Sequence, residues 1–544
     1  MAIRVSNLRL GLDEPEAALA EHLARALGLP TSELGPWRIL RKSLDARVKD
    51  SLHFVYTSEV RPVGDESRLI ALASRRRHGD VRIEQREEPP FVMPAHGSAA
   101  LAHRPVIIGS GPAGLAAGYF LAAEGYQPLL LERGRRVRER IHDVHRFDAG
   151  GPLDPESNYL FGEGGAGTFS DGKLTCRGSG PDVRRVLELF AECKGKPSIL
   201  YDYRPHLGSN RLPAVVKALR RRIEALGGEI RFSCRVEDLD LTADGEVRSL
   251  ATSSGYLPAS VALIAIGHSA RDTLQMLHRC GVPMVQKPFQ MGVRIEQPQE
   301  VVNRVKYGSA RLEDKLGAAD YNLVARGPHD LFSFCMCAGG HIIPSVSEEG
   351  YFCTNGMSLS GRESPFANSG LVVTVPVEEF PGNDVLAGVR LQMTYEERAF
   401  ALSGTEYRCP IQGAKDFLAR RPTQKLPPCS YPRGLVLADI AQLAPPQVVD
   451  ALHHGLPILD RRWRGRFLEQ ATLVAPETRG SCPIRMVRDP QTRAAPGFAG
   501  IYPIGEGAGY AGGIVSAAVD GLRSALAVIA KYAPLEKSAG SITR

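Results

Sequence analysis

The feature that most constrains this chain is a glycine-rich turn between a short apolar strand and a helix. Val106–Ile108 predicts a buried strand, residues 109–114 read Gly-Ser-Gly-Pro-Ala-Gly, and Leu115–Gly125 predicts a helix. The first glycine permits a tight turn, the second lets the backbone approach a pyrophosphate, and the third lets the helix pack against the strand. Unpaired N–H groups at the helix N-terminus attract phosphate oxygens. The pattern therefore predicts a Rossmann unit that binds a dinucleotide.

An acidic residue, Glu132, follows the next predicted strand, Pro128–Leu131. At this point of a Rossmann unit a carboxylate accepts hydrogen bonds from the adenosine ribose hydroxyls. Glu132 therefore favours a ribose without a 2′-phosphate.

A second glycine-rich segment indicates which dinucleotide is bound. Residues 500–513 predict a buried strand that runs into glycine-rich backbone, and a helix is predicted over Ile514–Ile529. Gly505 and Glu506 resemble the Gly-Asp pair that holds the ribityl chain in flavoproteins of the glutathione-reductase type, with Glu in place of the more usual Asp. A helix N-terminus directed at a flavin stabilises negative charge on its reduced form. Together the two segments predict FAD rather than FMN or NAD.

Two more segments complete the predicted FAD-binding domain. Helix Leu212–Leu226 and strand Glu229–Phe232 flank a Gly-Gly turn, and in similar flavoproteins such a unit places backbone, here near Val236, against the adenine. The apolar run 261–267 ends in Ala-Ile-Gly and resembles the strand of those proteins that passes near the dinucleotide. The domain is therefore assembled from pieces that are distant in sequence.

Residues 161–174 contain too much glycine for a regular element, so we predict a loop. In the functional interpretation its backbone lies against the flavin, and Thr168, Ser170 and Lys173 supply hydrogen-bond donors. The alternative is a flexible surface loop. We favour the functional interpretation because glycine alternates here with small polar residues.

Several runs of the sequence resemble the uncharacterised bacterial FAD-dependent dehydrogenases. They include GGAGTFSDGKLTCR, AIGHSARDT, KPFQMGVRIEQPQ, FSFCMCAGGHIIPS, TNGMSLSGRESPFANS and IGEGAGYAGGIVSAAVDG. The resemblance covers essentially the whole chain, including an appended N-terminal domain, and extends more distantly to geranylgeranyl-reductase-type flavoproteins. It implies the fold and the FAD, but not the substrate, because that family has no settled reaction.

We therefore expect an α/β chain with three parts. A Rossmann-like FAD-binding domain is assembled from discontinuous segments, an α+β substrate or cap domain is inserted between them, and an N-terminal ferredoxin-like α+β domain precedes both. The expected boundaries are 1–90 for the N-terminal domain, 91–103 for a linker, 104–275 and 476–535 for the FAD-binding domain, 276–475 for the cap domain and 536–544 for a C-terminal tail.

The ferredoxin-like prediction rests on the order β-α-β-β-α-β. The predicted elements are strand Ile3–Leu10, helix Glu14–Leu27, strands Trp37–Val48 and Leu52–Val60, helix Glu66–Arg76 and strand Val81–Glu87.

A basic stretch in this domain comprises Arg38, Arg41, Lys42, Arg47 and Lys49. It is either an RNA- or partner-binding face or an ordinary solvated strand face, and we favour the second interpretation.

Charge and cysteine usage add weaker constraints. A net charge of +7 over 544 residues permits phosphate-bearing ligands without demanding nucleic acid. Ten scattered cysteines in a chain of this size indicate reduced thiols and a cytoplasmic location. The N-terminus resembles neither a signal nor a transit peptide, and no apolar run is long enough to predict a membrane span.

The predicted cap domain carries no dinucleotide pattern. Val293–Glu296 alternates like a strand, and Arg294 either faces an anionic substrate or pairs with Glu296 or Asp272; we favour pairing. No second G-x-G-x-x-G occurs, so a separate nicotinamide domain is not expected.

The run Cys335-Met336-Cys337 with His341 invites a metal interpretation. It lacks a second ligand pair at zinc spacing, so we interpret these cysteines as structural thiols and predict no metal. No C-x4-C motif follows the first helix of the FAD-binding domain, so the dithiol relay of disulfide reductases is not expected.

These observations predict an FAD-dependent oxidoreductase that exchanges a hydride between flavin N5 and an unidentified small-molecule substrate. NAD(P)H or a redox protein is the expected transient partner. Two alternatives stay open: a flavin-dependent RNA-modification enzyme that uses the N-terminal domain, and an electron-transfer flavoprotein with a protein partner.

Three residues are candidates for catalysis. His268 is either an acid or base near the flavin or a hydrogen-bonded structural histidine. Lys173 lies in the glycine-rich loop, and Arg479 is expected to approach the flavin or a substrate carboxylate.

The residues predicted to bind FAD lie in the motifs described. They are Gly109, Gly111, Pro112, Ala113, Gly114, Glu132, Arg133, Gly165, Gly167, Thr168, Ser170, Lys173, Val236, Gly267, Gly505, Glu506, Gly512, Gly513 and Ile514.

We predict that Gly111→Val abolishes FAD retention and leaves the N-terminal domain folded. A branched side chain would occupy the place where the pyrophosphate approaches the backbone. Chromatography of the flavin released by heat from the wild type and the variant measures the loss. A yellow variant loaded to the wild-type level would contradict the prediction.

Overall fold

The N-terminal sheet has the strand order of a ferredoxin-like domain. The computed structural model describes residues 2–61, 80–86, 88–309 and 312–535. The strands lie in the order β2-β3-β1-β4, every neighbouring pair is antiparallel, and helix α1 packs on the sheet. The helix predicted over Glu66–Arg76 falls outside the described residues. The elements are β1 (Ile3–Gly11), α1 (Leu19–Leu27), β2 (Trp37–Asp45), β3 (His53–Val60) and β4 (Arg82–Gln85).

The basic stretch, which lies on β2 and in the turn that follows it, makes its contacts with other residues of the same chain. Two of its contacts reach beyond the N-terminal domain, so part of the stretch is docked against the rest of the molecule. Four of the five residues are nevertheless exposed and only Lys42 is half-buried, so the favoured interpretation of a solvated strand face describes most of the stretch. The contacts join Arg38 to Glu59, Arg41 to the ring of Tyr203, Lys42 to Glu16, Arg47 to Asp45 and Lys49 to the carbonyl oxygen of Val305.

A parallel sheet of five strands carries the glycine motifs. It has the order β23-β11-β5-β6-β7, which brings together strands from three distant stretches of sequence. Helices α2 and α12 pack on one face of the sheet. The elements are β5 (Val106–Ile108), α2 (Pro112–Ala123), β6 (Leu129–Leu131), α3 (Val137–Asp148), α4 (Pro181–Glu192), α5 (Leu212–Ala225), β7 (Glu229–Arg231), β11 (Ala262–Ile264), α6 (Arg271–Arg279), β23 (Ile501–Pro503) and α12 (Ile514–Lys531). The sheet confirms the predicted α/β class and Rossmann-like domain.

Two details of this domain differ from the sequence prediction. Helix α2 begins at Pro112 rather than at Leu115, because proline suits the first helical turn, where its missing N–H is not needed. Within the glycine-rich loop, Gly165–Phe169 forms a 3₁₀ helix. The loop can tighten in this way because Gly164 and Gly165 have positive φ angles of 86° and 61°.

The inserted region is built on a larger, mostly antiparallel sheet. Its strand order is β14-β15-β18-β13-β21-β19-β20, and β13 pairs with β18 along its whole length. Helices α9 (Ala387–Ser403) and α11 (Pro446–Arg462) contribute to its apolar core. The sheet strands are β13 (Phe289–Pro298), β14 (Val324–Ala325), β15 (Leu331–Cys337), β18 (Phe366–Val375), β19 (Cys409–Gly413), β20 (Leu435–Leu437) and β21 (Thr472–Glu477).

The remaining elements surround the two large sheets. A three-stranded sheet and two strand pairs lie beside them. The strands are β8 (Val236–Leu241), β9 (Val247–Thr252), β10 (Gly255–Pro258), β12 (Met284–Gln286), β16 (Gly340–Pro344), β17 (Thr354–Ser358) and β22 (Ile484–Met486), and the helices are α7 (Gln299–Tyr307), α8 (Glu313–Leu316), α9 (Ala387–Ser403), α10 (Ala414–Leu418) and α11 (Pro446–Arg462).

The central strand β13 does not alternate between buried and exposed residues, as Val293–Glu296 had suggested. Every residue from Met291 to Gln297 is buried. The strand lies in the middle of the sheet with both faces covered, so its charged side chains need partners inside the protein.

The segment predicted as a linker, 91–103, is packed against the C-terminal helix α12. The Gly97 amide donates to the Ile529 carbonyl at 2.8 Å, and the Ala533 amide donates to the Ala99 carbonyl at 2.9 Å. The chain therefore passes from the N-terminal domain along the end of α12. Among the residues that the structure describes, no helix combines the length and the apolar character needed to cross a bilayer.

A buried ion triad joins the Rossmann-like domain to the larger sheet. Glu396 of α9 accepts hydrogen bonds from Arg271, at the start of α6, at 2.8 and 3.0 Å, and from Arg479, just after β21, at 2.8 and 3.1 Å. Burial opposes ionisation of Glu396, but the two guanidinium groups outweigh it and lower its pKa to about 2. The triad therefore stays charged down to acidic pH and couples the two domains.

We predict that Glu396→Gln destabilises the protein by about 3–5 kcal/mol, because two buried guanidinium groups lose their counter-charge. In the wild type the lowered pKa means that this stabilisation is complete above the pKa of an unfolded glutamate and is lost as the pH falls towards 2. Thermal unfolding midpoints measure the effect. The control is Glu397→Gln, one residue along and exposed, which should leave the midpoint unchanged; equal midpoints for both variants would contradict the prediction.

Candidate active site

The dinucleotide turn leaves space beside its middle glycine. Gly109 has a φ of +106°, and a Cβ at Gly114 would lie 2.0 Å from the Gly109 carbonyl oxygen, so neither position accepts a side chain. A Cβ at Gly111 would meet only the Cα of Gly165, at 4.0 Å. A side chain at position 111 therefore points into space that the protein does not fill, next to the N-terminus of α2.

Glu132 fastens three backbone segments to one another. One carboxylate oxygen accepts hydrogen bonds from the Ser110 amide at 2.9 Å and the Ser110 hydroxyl at 2.7 Å. The other accepts from the amides of Gly134 at 2.9 Å and Gly162 at 3.0 Å. The carboxylate thus holds the glycine-rich loop against the dinucleotide turn, and its contact with a ribose stays a prediction.

Arg140 of α3 holds the glycine-rich loop from inside. It is fully buried, and its guanidinium donates to the carbonyl oxygens of Asn158, Tyr159, Gly162, Glu163 and Gly165 at 2.8–3.2 Å. Burial lowers its pKa to about 9, against the raising effect of nearby carboxylates. The loop is therefore organised around a charged group, not a flexible surface segment.

The C-terminal glycine segment brings two predicted site residues together. His268 Nδ1 lies 3.3 Å from a carboxylate oxygen of Glu506, and His268 Nε2 is buried without a hydrogen-bond partner. The amide of Gly505 donates to Asp520 at 2.8 Å. Asp520 also binds Arg488 and was not predicted from the sequence.

The N-terminus of α12 is open at its two glycines. A Cβ at Gly512 or Gly513 would meet no protein atom within 4 Å. A Cβ at Gly507, by contrast, would lie 2.3 Å from the Gly267 carbonyl oxygen, so these two backbone segments touch. The described backbone therefore leaves unfilled space at two helix N-termini, those of α2 and α12, as a dinucleotide with a flavin at one end requires.

Other predicted cofactor residues occupy less direct positions. Arg133 pairs with Glu156 and Asp272 and stacks on the ring of Phe161 at 4.2 Å. Val236 is the buried first residue of β8. Direct contact of either residue with the cofactor stays a prediction.

A buried polar cluster lies where the glycine-rich loop reaches the large sheet. Lys173 Nζ contacts Asp171 at 2.7 Å, and Arg294 of β13 donates to Glu477 of β21 at 2.7 Å and to Asn368 of β18 at 2.8 Å. Cys335 and Cys337 of β15 face the same positive charges. We call these the polar cluster: Asp171, Lys173, Arg294, Cys335, Cys337, Asn368 and Glu477.

Several buried atoms of the polar cluster have no partner in the protein. Arg294 Nε, Asn368 Nδ2 and Glu477 Oε2 make no hydrogen bond, although all three side chains are almost completely buried. Unpaired buried polar groups are costly, and each of them calls for an explanation such as a catalytic role or a bound partner. Donors and acceptors are both represented, which suits a polar ligand.

The favoured pairing of Arg294 with Glu296 or Asp272 is wrong, because its ion-pair partner is Glu477. Glu296 instead accepts hydrogen bonds from Ser430, and Asp272 forms an ion pair with Arg133. Burial raises the pKa of Glu477 to about 7, in spite of the neighbouring guanidinium. This carboxyl can therefore hold or release a proton near neutral pH.

The three candidate catalytic residues fall in three different places. Lys173 belongs to the polar cluster, His268 lies beside Glu506, and Arg479 is engaged by Glu396 and by Ser347 at 3.0 Å. Arg479 therefore has all its nitrogens occupied within the protein, and its contact with a substrate stays a prediction.

Sequence reasoning missed Glu477, Asn368 and the place of Cys335. Glu477 could have been suspected because it lies two residues before Arg479, which was selected as the candidate instead.

Comparisons with known proteins place the chain in a family. It is 38% identical over 537 residues to an uncharacterised protein of Clostridium beijerinckii, which covers 98% of this chain and 99% of the relative. Residues 288–480 match the family described as FAD-dependent protein, C-terminal domain-like, residues 107–166 match an NAD(P)-binding Rossmann-like domain, and residues 2–61 match a domain of unknown function. The chain therefore belongs to an uncharacterised family of FAD-dependent, oxidoreductase-like flavoproteins, and FAD is its cofactor.

Solved structures resemble the chain only loosely. A glycine oxidase from Bacillus cereus is 10% identical, with a TM-score of 0.32 over 78% of this chain and 94% of the other. The halogenase PltM, in complex with phloroglucinol and FAD, is 12% identical, with a TM-score of 0.36 over 78% of this chain and 68% of the other. Resemblance at this level leaves the reaction undefined.

We predict that Arg140→Met lowers the affinity for FAD about tenfold or more, because five carbonyl oxygens of the loop lose their donor and unpaired buried groups are costly. Equilibrium dialysis of FAD against the apoprotein measures the change. The control is Arg138→Met, at an exposed position of the same helix, which should bind FAD as the wild type does. Wild-type affinity in Arg140→Met would contradict the role assigned to this guanidinium.

Proposed function

We propose that this chain is an FAD-dependent dehydrogenase or reductase whose polar small-molecule substrate binds at the polar cluster. The observation that carries the proposal is the set of buried atoms without partners on Arg294, Asn368 and Glu477, at the end of the glycine-rich loop. A cluster of unsatisfied donors and acceptors in a flavoprotein suits a substrate that carries hydroxyl, amino or carbonyl groups.

The glycine-rich loop supports placing the flavin beside this cluster. Its first half is tied to the dinucleotide turn, where the Gly164 amide donates to the Ser110 carbonyl at 2.9 Å. Its second half ends at Asp171 and Lys173, in the cluster. The loop thus runs from the predicted pyrophosphate site to the proposed substrate site within ten residues of sequence.

The bound FAD supplies a hydride acceptor or donor at its N5 atom. The chain binds and orients the substrate through the unpaired atoms of the polar cluster. Lys173 and Arg294 stabilise negative charge on it, and burial of the cluster excludes water from the reacting groups.

Glu477 is the group we assign to proton transfer in this reaction. With a pKa raised to about 7, its carboxyl is protonated in part of the molecules at neutral pH. Its Oε1 is held by Arg294, and its Oε2 is left for the substrate. Loss of a hydride from an alcohol or amine requires a base that takes the accompanying proton, and Glu477 meets that need.

The test is anaerobic reduction of the purified holoprotein by a panel of hydroxy and amino compounds and by NADH and NADPH, followed at the flavin absorbance. We expect one polar metabolite class to reduce the flavin with saturation. NADH and NADPH should react without saturating at low micromolar concentration, because the cluster offers point charges rather than an organised set of amides for a second pyrophosphate.

Glu477→Gln is the matched variant. We expect its reduction rate to fall about 100-fold and to lose a pH dependence centred near 7, while FAD stays bound. Saturable reduction by NADPH at low micromolar concentration, or an unchanged pH profile in Glu477→Gln, would contradict the proposal.

A further inference from the structure

We propose that Cys335 and Cys337 form a redox-active dithiol that exchanges two electrons with the FAD. The proposal rests on the placement of the polar cluster beside the flavin, and it revises the sequence interpretation of these cysteines as structural thiols.

The two thiols lie together at an irregular point of strand β15. The pairing of β15 with β18 shifts register between Phe334 and Cys337. Cys335 has a φ of +43°, which is uncommon for a residue with a side chain. The Cys337 thiol donates to the Cys335 carbonyl oxygen at 3.2 Å, so it is directed back towards Cys335.

The charges that face Cys335 favour a thiolate. A hydrogen bond from Cys337 and the positive charges of Lys173 and Arg294 outweigh burial and the charge of Asp171, and lower its pKa to about 6. The charge of Cys335 in turn contributes to the raised pKa of Glu477.

Other buried cysteines of the chain are held in the protonated thiol form. Burial raises the pKa of Cys353, Cys409 and Cys482. These cysteines are inert packing residues by comparison, because the thiolate is the reactive form. Cys335 is also half-buried rather than fully buried, so a reagent or a substrate thiol can reach it.

The Lys173 side chain connects the dithiol to the glycine-rich loop. Its nitrogen is buried although 29% of the side chain is exposed, and it faces both cysteines from the end of the glycine-rich loop. The loop that organises the cofactor therefore also supplies the charge that activates the thiol.

The proposed step balances in atoms and electrons. The Cys335 thiolate and the Cys337 thiol form an S–S bond, and the S–H bond of Cys337 breaks. Two electrons and that proton pass to oxidised FAD, which becomes the anionic reduced flavin. In the reverse direction the reduced flavin opens the disulfide, which suits a substrate or partner that contains thiol or disulfide sulfur.

An anaerobic titration with dithionite tests the inference without any substrate. After air oxidation the wild-type holoprotein should take up four electrons per FAD, two for the flavin and two for the disulfide. Cys335→Ser and Cys337→Ser should each take up two. The control Cys280→Ser, at a half-buried thiol outside the cluster, should take up four.

Mass spectrometry and alkylation test the dithiol in the wild-type protein, so the result does not depend on variants that could fail to fold. The wild-type peptide that spans Cys335 and Cys337 should be about 2 Da lighter after air oxidation than after reduction. In the reduced wild type, alkylation of Cys335 by iodoacetamide should rise with pH around a midpoint near 6, and Lys173→Met should slow it about tenfold at pH 7.

Uptake of two electrons by the wild type, together with two free thiols in the air-oxidised peptide, would overturn the dithiol. That result would leave the proposed dehydrogenase reaction standing, because its test uses substrate reduction of the flavin. Conversely, four-electron uptake with no reducing metabolite in the panel would support the dithiol and overturn the small-molecule reaction.

Discussion

The buried guanidinium of Arg140 is the contact on which the rest of the site depends. The glycines of the loop have no side chains to pack, and glycine loses much conformational freedom on folding. Five carbonyl oxygens converge on one charged group instead, and the carboxylate of Glu132 gathers the neighbouring amides. The path from the dinucleotide turn to the polar cluster exists because these two side chains replace the packing that the glycines cannot provide.

The parts of the fold that the sequence could predict are those whose signal is local. Strand β5, the glycine turn and helix α2 follow one another within eighteen residues, so spacing alone identifies them. The polar cluster has no such signal. Arg294 and Glu477 are 183 residues apart in sequence, and they meet because β13 and β21 are neighbours in the sheet. Pairing across a sheet cannot be deduced from spacing along the chain.

The same limitation applies to Cys335 and Cys337. Their motif was visible, but the groups that give Cys335 its thiolate character come from a loop and a strand distant in sequence. The basic stretch of the N-terminal domain is a related case, since its charges were visible in the sequence and their partners were not. Glu16 and Tyr203, which lie in different domains, each take up one of those cations.

The ion triad of Arg271, Glu396 and Arg479 sets a limit on how the molecule can move. Hinged opening between the Rossmann-like domain and the large sheet would pull Arg271 of α6 away from Glu396. A buried charge would then be exposed to water or left without its partner. Relative motion of the two domains at the triad is therefore energetically unfavourable, unlike the domain closure that many enzymes use around their ligands. Under the proposed function, a substrate would therefore reach the polar cluster through rearrangement of side chains and of loops away from the triad.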